Sequence, residues 1–245
     1  MELFLQPETW VALLTLTFLE IVLGVDNIIF ISIVSNKLPV QQQAKARNIG
    51  LILALAFRVG LLLGITWIIG FTQPLFSVFG HEVSGRDLIL AIGGLFLMGK
   101  STMEINHKME VHEEKESKPA KASISSVILQ IIVLDIIFSF DSILTAVGLT
   151  DQVILMIIAV VISLAIMMAF AGKISDFIAK HPSLEILALS FLILIGFMLM
   201  VEALGHHVPK GYIYFAVFFS LVVEMLNMRV RKAANKLKLN KRVKE

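Results

Sequence analysis

The sequence has no cysteine. That absence excludes disulfides and thiolate metal sites, without fixing the compartment. Charge is also scarce. Asp, Glu, Lys and Arg make up 16% of the 245 residues, against about 25% in an ordinary soluble domain. The deficit leaves too little polar surface to cover a water-facing globule, and 57% of the residues are hydrophobic, with a mean hydropathy of +0.87. The chain therefore reads as a polytopic integral membrane protein. Residues 1–36 hold no Lys or Arg. A signal peptide needs a basic start and an apolar core of roughly 7–15 residues. The apolar run from Trp10 to Val34 is longer, so a cleaved leader is not expected. Proline is missing from every apolar run. Pro7, Pro39, Pro74, Pro119, Pro182 and Pro209 all fall between them, as helix punctuation does. Also absent are HExxH, the GxGD element of presenilin-type proteases, and an obvious serine–base pairing, so no enzyme is expected.

A spanning helix needs about 20 mostly apolar residues. Seven segments qualify: 10–34, 48–71, 87–106, 124–148, 152–172, 184–204 and 211–228. The expected class is all-α, with 1–245 forming one transmembrane domain. Within it, 10–106 is a first three-helix repeat, 107–123 a cytoplasmic linker and 124–204 a second repeat. A seventh helix at 211–228 precedes a basic tail at 229–245. Trp10, Tyr212 and Tyr214 sit near segment ends, where amphipathic rings favour the headgroup level. The linker's acidic and His residues could attract metal, but a solvated mixed-charge linker is the simpler reading.

Basic residues set the orientation. Eighteen of the 21 Lys and Arg lie on one side: in the loop after span 1, in the last two turns of span 3 (Lys100), in the linker, in the loop after span 5, and in the tail. Arg86 and Lys210 are on the other side, and Arg58 is inside span 2. The positive-inside rule then places the N-terminus outside and the C-terminus in the cytoplasm of a multi-pass cell (inner or plasma) membrane protein.

Residues 19–32 read LEIVLGVDNIIFIS and residues 134–147 read LDIIFSFDSILTAV. One constant offset aligns Glu20 with Asp135, Asp26 with Asp141, and Asn27 with Ser142. These polar positions are the ones a membrane span least tolerates. Three spans per half reverse the second half, so the halves are expected to be inverted, a common transporter plan with its site at the repeat interface. Glu20 and Asp135 both fall about 15 Å into the bilayer at ~1.5 Å per residue, close to the midplane of a roughly 30 Å core.

A charged side chain at mid-bilayer costs roughly 2.5–3.5 kcal/mol even on the lenient insertion scale. Five carboxylates nevertheless lie more than two residues inside a span: Glu20, Asp26, Asp135, Asp141 and Glu224. Arg58 is the one cation among them. An acid-rich interior suits a cation. The donors on offer are carboxylates, the Asn27 amide, the Ser142 hydroxyl and backbone carbonyls, which are hard oxygen ligands fit for Mg, Ca or Mn. The eleven methionines read as packing residues. On a regular helix Glu20 and Asn27 share a face, as do Asp135 and Ser142, while Asp26 and Asp141 lie about 120° away. One ion can meet all of them only if the helices unwind, and Gly24 and Ser139 hold equivalent positions where they could. Alternatively, Glu20 and Asp135 line the site while Asp26 or Asp141 pairs with Arg58. Arg58 itself either replaces the ion in an empty site or forms a permanent salt bridge. Arg58 and Glu224 are the candidate coupling or counter-ion residues. Glu202 with His206 and His207, and Glu104 with His107, stand at span ends as interface residues or peripheral metal contacts, with the interface reading preferred for the first set.

The repeat segments LEIVLGVDNIIFIS and LDIIFSFDSILTAVG, followed by HPSLEILALSFLILIGF and HVPKGYIYFAVFFSLVVEMLN, resemble the TerC family of integral membrane proteins over nearly the whole chain. The family is placed in a lysine-exporter-like superfamily and is named for tellurite resistance. The resemblance implies a metal-ion exporter, with Mn(II) the foremost substrate. It implies that Glu20, Asp26, Asn27, Asp135, Asp141 and Ser142 are the metal-path residues. The cytoplasmic CBS and transporter-associated domains of some longer relatives are not expected here. No cofactor is expected beyond the transported cation. The expected partners are that ion and the lipid bilayer, not nucleic acid, with a homo-oligomer left open. The competing reading is a non-transporting membrane partner in metal or tellurite stress or in membrane-protein assembly.

Overall fold

A computed structural model describes residues 5–78, 81–110, 123–147, 150, 152–206 and 208–242. The side chains of residues 25, 26, 78, 81, 110, 141, 145 and 231–242 lie outside the described set. The candidate residues Asp26 and Asp141 are thus located by backbone alone, and His207 and linker residues 111–122 fall outside the described residues.

Lipid offers a backbone no hydrogen-bonding partner, so an apolar stretch must close its own N–H···O=C bonds, and a helix does so within one segment. The apolar runs accordingly form α1 (Pro7–Ser35), α2 (Val40–Leu63), α4 (Gly85–Glu110), α5 (Ile124–Val147), α6 (Val153–Ala179), α7 (Pro182–Ala203) and α8 (Lys210–Arg242), with a short α3 (Ile65–Gly70) after α2. All but α3 are long and apolar enough to cross a membrane. Pro7 and Pro182 open α1 and α7 in their first turns, where a missing N–H costs nothing.

Span 2 departs from expectation. It was read as one segment at 48–71, but its helix starts at Val40 and breaks at Gly64, which adopts φ −89° and ψ 24°. The break is a kink. Gly64 N–H still donates to the Gly60 carbonyl at 3.0 Å, and its own carbonyl accepts from Trp67 and Ile68. The connection to α4 is not a plain loop either. Strands β1 (Pro74–Val78) and β2 (His81–Ser84) pair antiparallel from Pro74↔Ser84 to Val78↔His81, with an irregularity between Pro74 and Phe76. Ser84 then caps α4 reciprocally. Its hydroxyl accepts from the Asp87 N–H at 3.2 Å, while Asp87 Oδ2 accepts from the Ser84 N–H at 2.9 Å. At the other end of the chain, the expected basic tail continues α8 as helix to Arg242.

Helices pair across the two halves: α1 against α6, α2 against α5, and α4 against α7. The α4–α7 crossing is closest at its centre. A Cβ on Gly196 would sit 2.7 Å from the Gly94 carbonyl oxygen, and one on Gly94 2.5 Å from the Gly196 carbonyl oxygen. Two glycines here let backbones touch, as small residues do at membrane helix interfaces. Ion pairs hold both ends of the same crossing: Lys108 with Glu185 at 2.9 Å, and Arg86 with Glu202 at 3.5 Å. Lys37, just after α1, pairs with Glu104 of α4. The end-of-span acids Glu104 and Glu202 are therefore buried in ion pairs, while His107 and His206 are exposed. Helix α8 is peripheral: 6% of its span is buried, against 33% or more for each of the other six.

Gly196→Ala should lower unfolding stability in detergent by about 1–3 kcal/mol, the usual cost of overpacking. Gly99→Ala, on the same α4 but with nothing within 4 Å of its added Cβ, should be neutral or slightly stabilising. Equal effects of the two substitutions in a denaturant titration would contradict the glycine contact.

Candidate ion site

The buried stripe of α2 reads Ala46, Gly50, Ala54, Arg58, Leu62, with Leu51 beside it. Steps of four keep these residues on one helical face. Three small residues bring α2 hard against α5: a Cβ on Gly50 would meet Ile131 at 2.8 Å. Arg58 follows on the same stripe two turns later and is carried into the bundle, where it is 5% exposed.

Its guanidinium reaches both halves of the chain. Nη1 donates to Glu20 Oε2 of α1 at 2.6 Å, and Nη2 to Asp135 Oδ1 of α5 at 3.4 Å. Nε donates to the Ser139 hydroxyl at 2.8 Å, and that hydroxyl donates to Asp135 Oδ2 at 3.1 Å. All four side chains are buried. The two repeat-equivalent acids thus meet at one cation, as their depths suggested. The described partners of Arg58 are Glu20, Asp135 and Ser139; Asp26 and Asp141, the alternative partners, have side chains outside the described residues.

Two expectations need correction. Neither helix unwinds: α1 runs unbroken through Gly24 and α5 through Ser139. Both positions serve packing instead. A Cβ on Gly24 would lie 2.4 Å from Met167 Sδ of α6, and Ser139 holds Arg58. The methionine supports the packing reading of that residue type. Ser139, a position where α5 could have unwound, is instead a member of the network. The signal that could have shown it is its place one turn after Asp135, with its hydroxyl on the acid's face.

Asn27 is buried, and among the described residues its Oδ1 has no hydrogen-bond partner. Such an acceptor is costly in an apolar setting unless something occupies it. Ser142 donates to the Ser139 carbonyl at 3.2 Å and also lines two adjoining cavities. One, of about 350 Å3, runs between Glu20, Leu19, Ser142, Lys210 and Tyr214. The other, of about 30 Å3, is bounded by Arg58, Phe138, Ser142 and Tyr214. The first turn of α8 therefore covers the site from the side where α5 ends. Tyr214 is half-buried and lines both cavities, whereas Tyr212 is exposed. Glu224 accepts a 3.4 Å bond from Asn227 on its own helix. Among the described residues, no three His, Cys, Asp or Glu side chains converge as a ready-made metal cluster.

The model of the integral membrane protein TerC family matches residues 5–239. The chain belongs to the TerC family. Among its relatives, the UPF0053 inner membrane protein YgdQ of Escherichia coli (strain K12) is 53% identical over 95% of this chain and 97% of its own length. A UPF0053 protein of Haemophilus influenzae is 52% identical over 94% of this chain and 98% of its own. The longer E. coli inner membrane protein YoaE is 44% identical over 95% of this chain but only 45% of its own length. No solved structure matches the chain. Family membership, the names of these relatives and the seven apolar helices agree on a multi-pass inner membrane protein.

Arg58→Gln would leave two buried acids facing each other. Breaking a buried ion pair by removing one partner costs about 3–5 kcal/mol, so this variant should unfold at markedly lower denaturant. Adding Glu20→Gln and Asp135→Asn should restore much of that loss. If the triple variant is as unstable as the single one in the same titration, charge compensation is not what the network supplies.

Proposed function

We propose that this chain is a membrane exporter of hard divalent cations, Mn(II) foremost, working as a carrier and not as an enzyme. The observation that carries the reading is the meeting of Glu20 and Asp135, from opposite halves, on one positive charge in the buried centre. A structure that needed only stability would do as well with apolar residues there. Intramembrane acids are costly and mark ion pathways. The donors along the path are oxygens: Asp26 and Asn27 toward one end, Glu20 and Asp135 at the centre, Asp141 and Ser142 toward the other. Asn27 Oδ1 is a buried acceptor still open to a ligand.

The alternating-access plan rests on the helix pairing. Exchanging the halves turns the α1–α6 contact into the α5–α2 contact and leaves α4–α7 as it is. With the N-terminus outside, the ion enters from the cytoplasm past Asp26 and is held between Glu20 and Asp135. It leaves past Asp141 into the cavity beneath Lys210 and Tyr214.

The test is flux of Mn(II) in liposomes carrying the purified protein. Wild type should pass Mn(II) above empty liposomes, with Mg, Ca and Zn ranked by competition. Asp26→Asn combined with Asp141→Asn should abolish that flux, as should Glu20→Gln combined with Asp135→Asn. Undiminished flux in both double variants would refute the path. No flux in a folded wild type would favour a non-transporting partner protein.

A further inference from the structure

Resting on the export reading, we propose that Arg58 is the return cation of the transport cycle, a tethered positive charge that fills the site once the metal has left and lets the empty carrier reorient without any co-transported ion. A carrier must cross back after releasing its cargo. Emptied, Glu20 and Asp135 would be two bare carboxylates in a low-dielectric core, where even one charge is costly and like charges add to the penalty. Many carriers solve this with protons or a counter-ion. Here the solution is built into α2. The guanidinium touches both acids, at 2.6 Å and 3.4 Å, and spends its Nε on Ser139, which itself bonds Asp135. One of the two negative charges is compensated by the chain itself, and both carboxylates keep a charged hydrogen-bond donor.

Three features favour a mobile substitute over a fixed brace. The hold is uneven, with a tight contact to Glu20 and a long one to Asp135, so half of the seat is weakly bound. Arg58 also borders the small cavity of about 30 Å3 that leads toward Ser142 and Tyr214, which gives the guanidinium a direction in which to withdraw as a metal ion enters. Finally, among the described residues Arg58 is the one cation bonded to both acids, and the position beside Gly24 that corresponds to Ser139 is filled by the Met167 thioether. Arginine suits the task because its guanidinium does not lose its proton in proteins. The returning positive charge is then independent of proton supply.

This separates two kinds of flux. Exchange of metal for metal never requires the empty carrier to cross, whereas net export does. In proteoliposomes, wild type should show both net Mn(II) efflux and exchange of radioactive manganese, and net efflux should stay the same when ionophores collapse the pH and sodium gradients. Arg58→Gln should cut net efflux at least about tenfold more than it cuts exchange, the effect of roughly 1.4 kcal/mol or more on the return barrier. Equal retention of both fluxes in the variant would overturn the inference. So would loss of both in a variant that elutes as a folded protein and still binds Mn(II). Should the variant not fold, the wild-type result decides: net efflux that stops without a proton or sodium gradient overturns the return-cation role, and continued efflux upholds it. Absence of either flux in wild type would instead remove the export reading itself, and this inference with it.

Discussion

The arrangement depends on one shared charge. Glu20 and Asp135 stand on helices that begin more than a hundred residues apart, and each would be intolerable alone at that depth. The guanidinium of Arg58 makes them tolerable together. It can do so because α2 reaches α5 on a stripe of alanine and glycine, so that the backbone comes close enough for a side chain to insert between two other helices. The electrostatics thus dictate the packing. Larger residues at Ala46, Gly50 or Ala54 would push the guanidinium away from Ser139 and leave the acids uncompensated, although none of these three touches a charge.

Around that centre the bundle divides by how it is held. The α4–α7 pair is fixed at its middle by two facing glycine backbones and at both ends by ion pairs. The helices that carry the acids, α1 and α5, are packed against α6 and α2 and meet at the Arg58 network. Their polar contacts are mostly internal, as where Ser32 and Ser142 bond carbonyls of their own helices. Buried serines that satisfy themselves in this way add no cross-helix tie. On the export reading, a clamped pair beside a pair joined through one charge is a suitable division, since the centre would change partners while its frame persists.

Much of this could be read from the sequence because membranes simplify the code. Long apolar runs had to be helices, and the polar residues inside them had to converge, so the seven spans, the repeat-equivalent acids and the buried Arg58 were all visible. What stayed hidden depends on short-range geometry. Gly64 sits within an unbroken apolar stretch, so nothing in the hydropathy marks the break there. The hairpin at Pro74–Ser84 is too short, and too mixed in its side chains, to alternate clearly. Ser139 looked like a weakness in a helix when it was a hydrogen-bonding partner. The cover formed by Lys210 and Tyr214 follows from how the seventh span folds back over the site, and composition carries no trace of that.

The unbroken helices bear on how an ion would travel. Had α1 and α5 opened at Gly24 and Ser139, acids six residues apart could have closed around one ion in a single cage. In a continuous α1, Asp26 lies about 9 Å along the axis from Glu20 and about 120° around it. Those two positions therefore lie on different faces of the helix. By the repeat, the same holds for Asp135 and Asp141. On the export reading, the acids then act in succession: Asp26 collects the ion, the central pair shares it in place of Arg58, and Asp141 receives it on the far side. A chain of weak sites moves an ion better than one deep site. At no stage does the cation gain so many ligands that it cannot leave, and each displacement returns the guanidinium to the acids it had yielded.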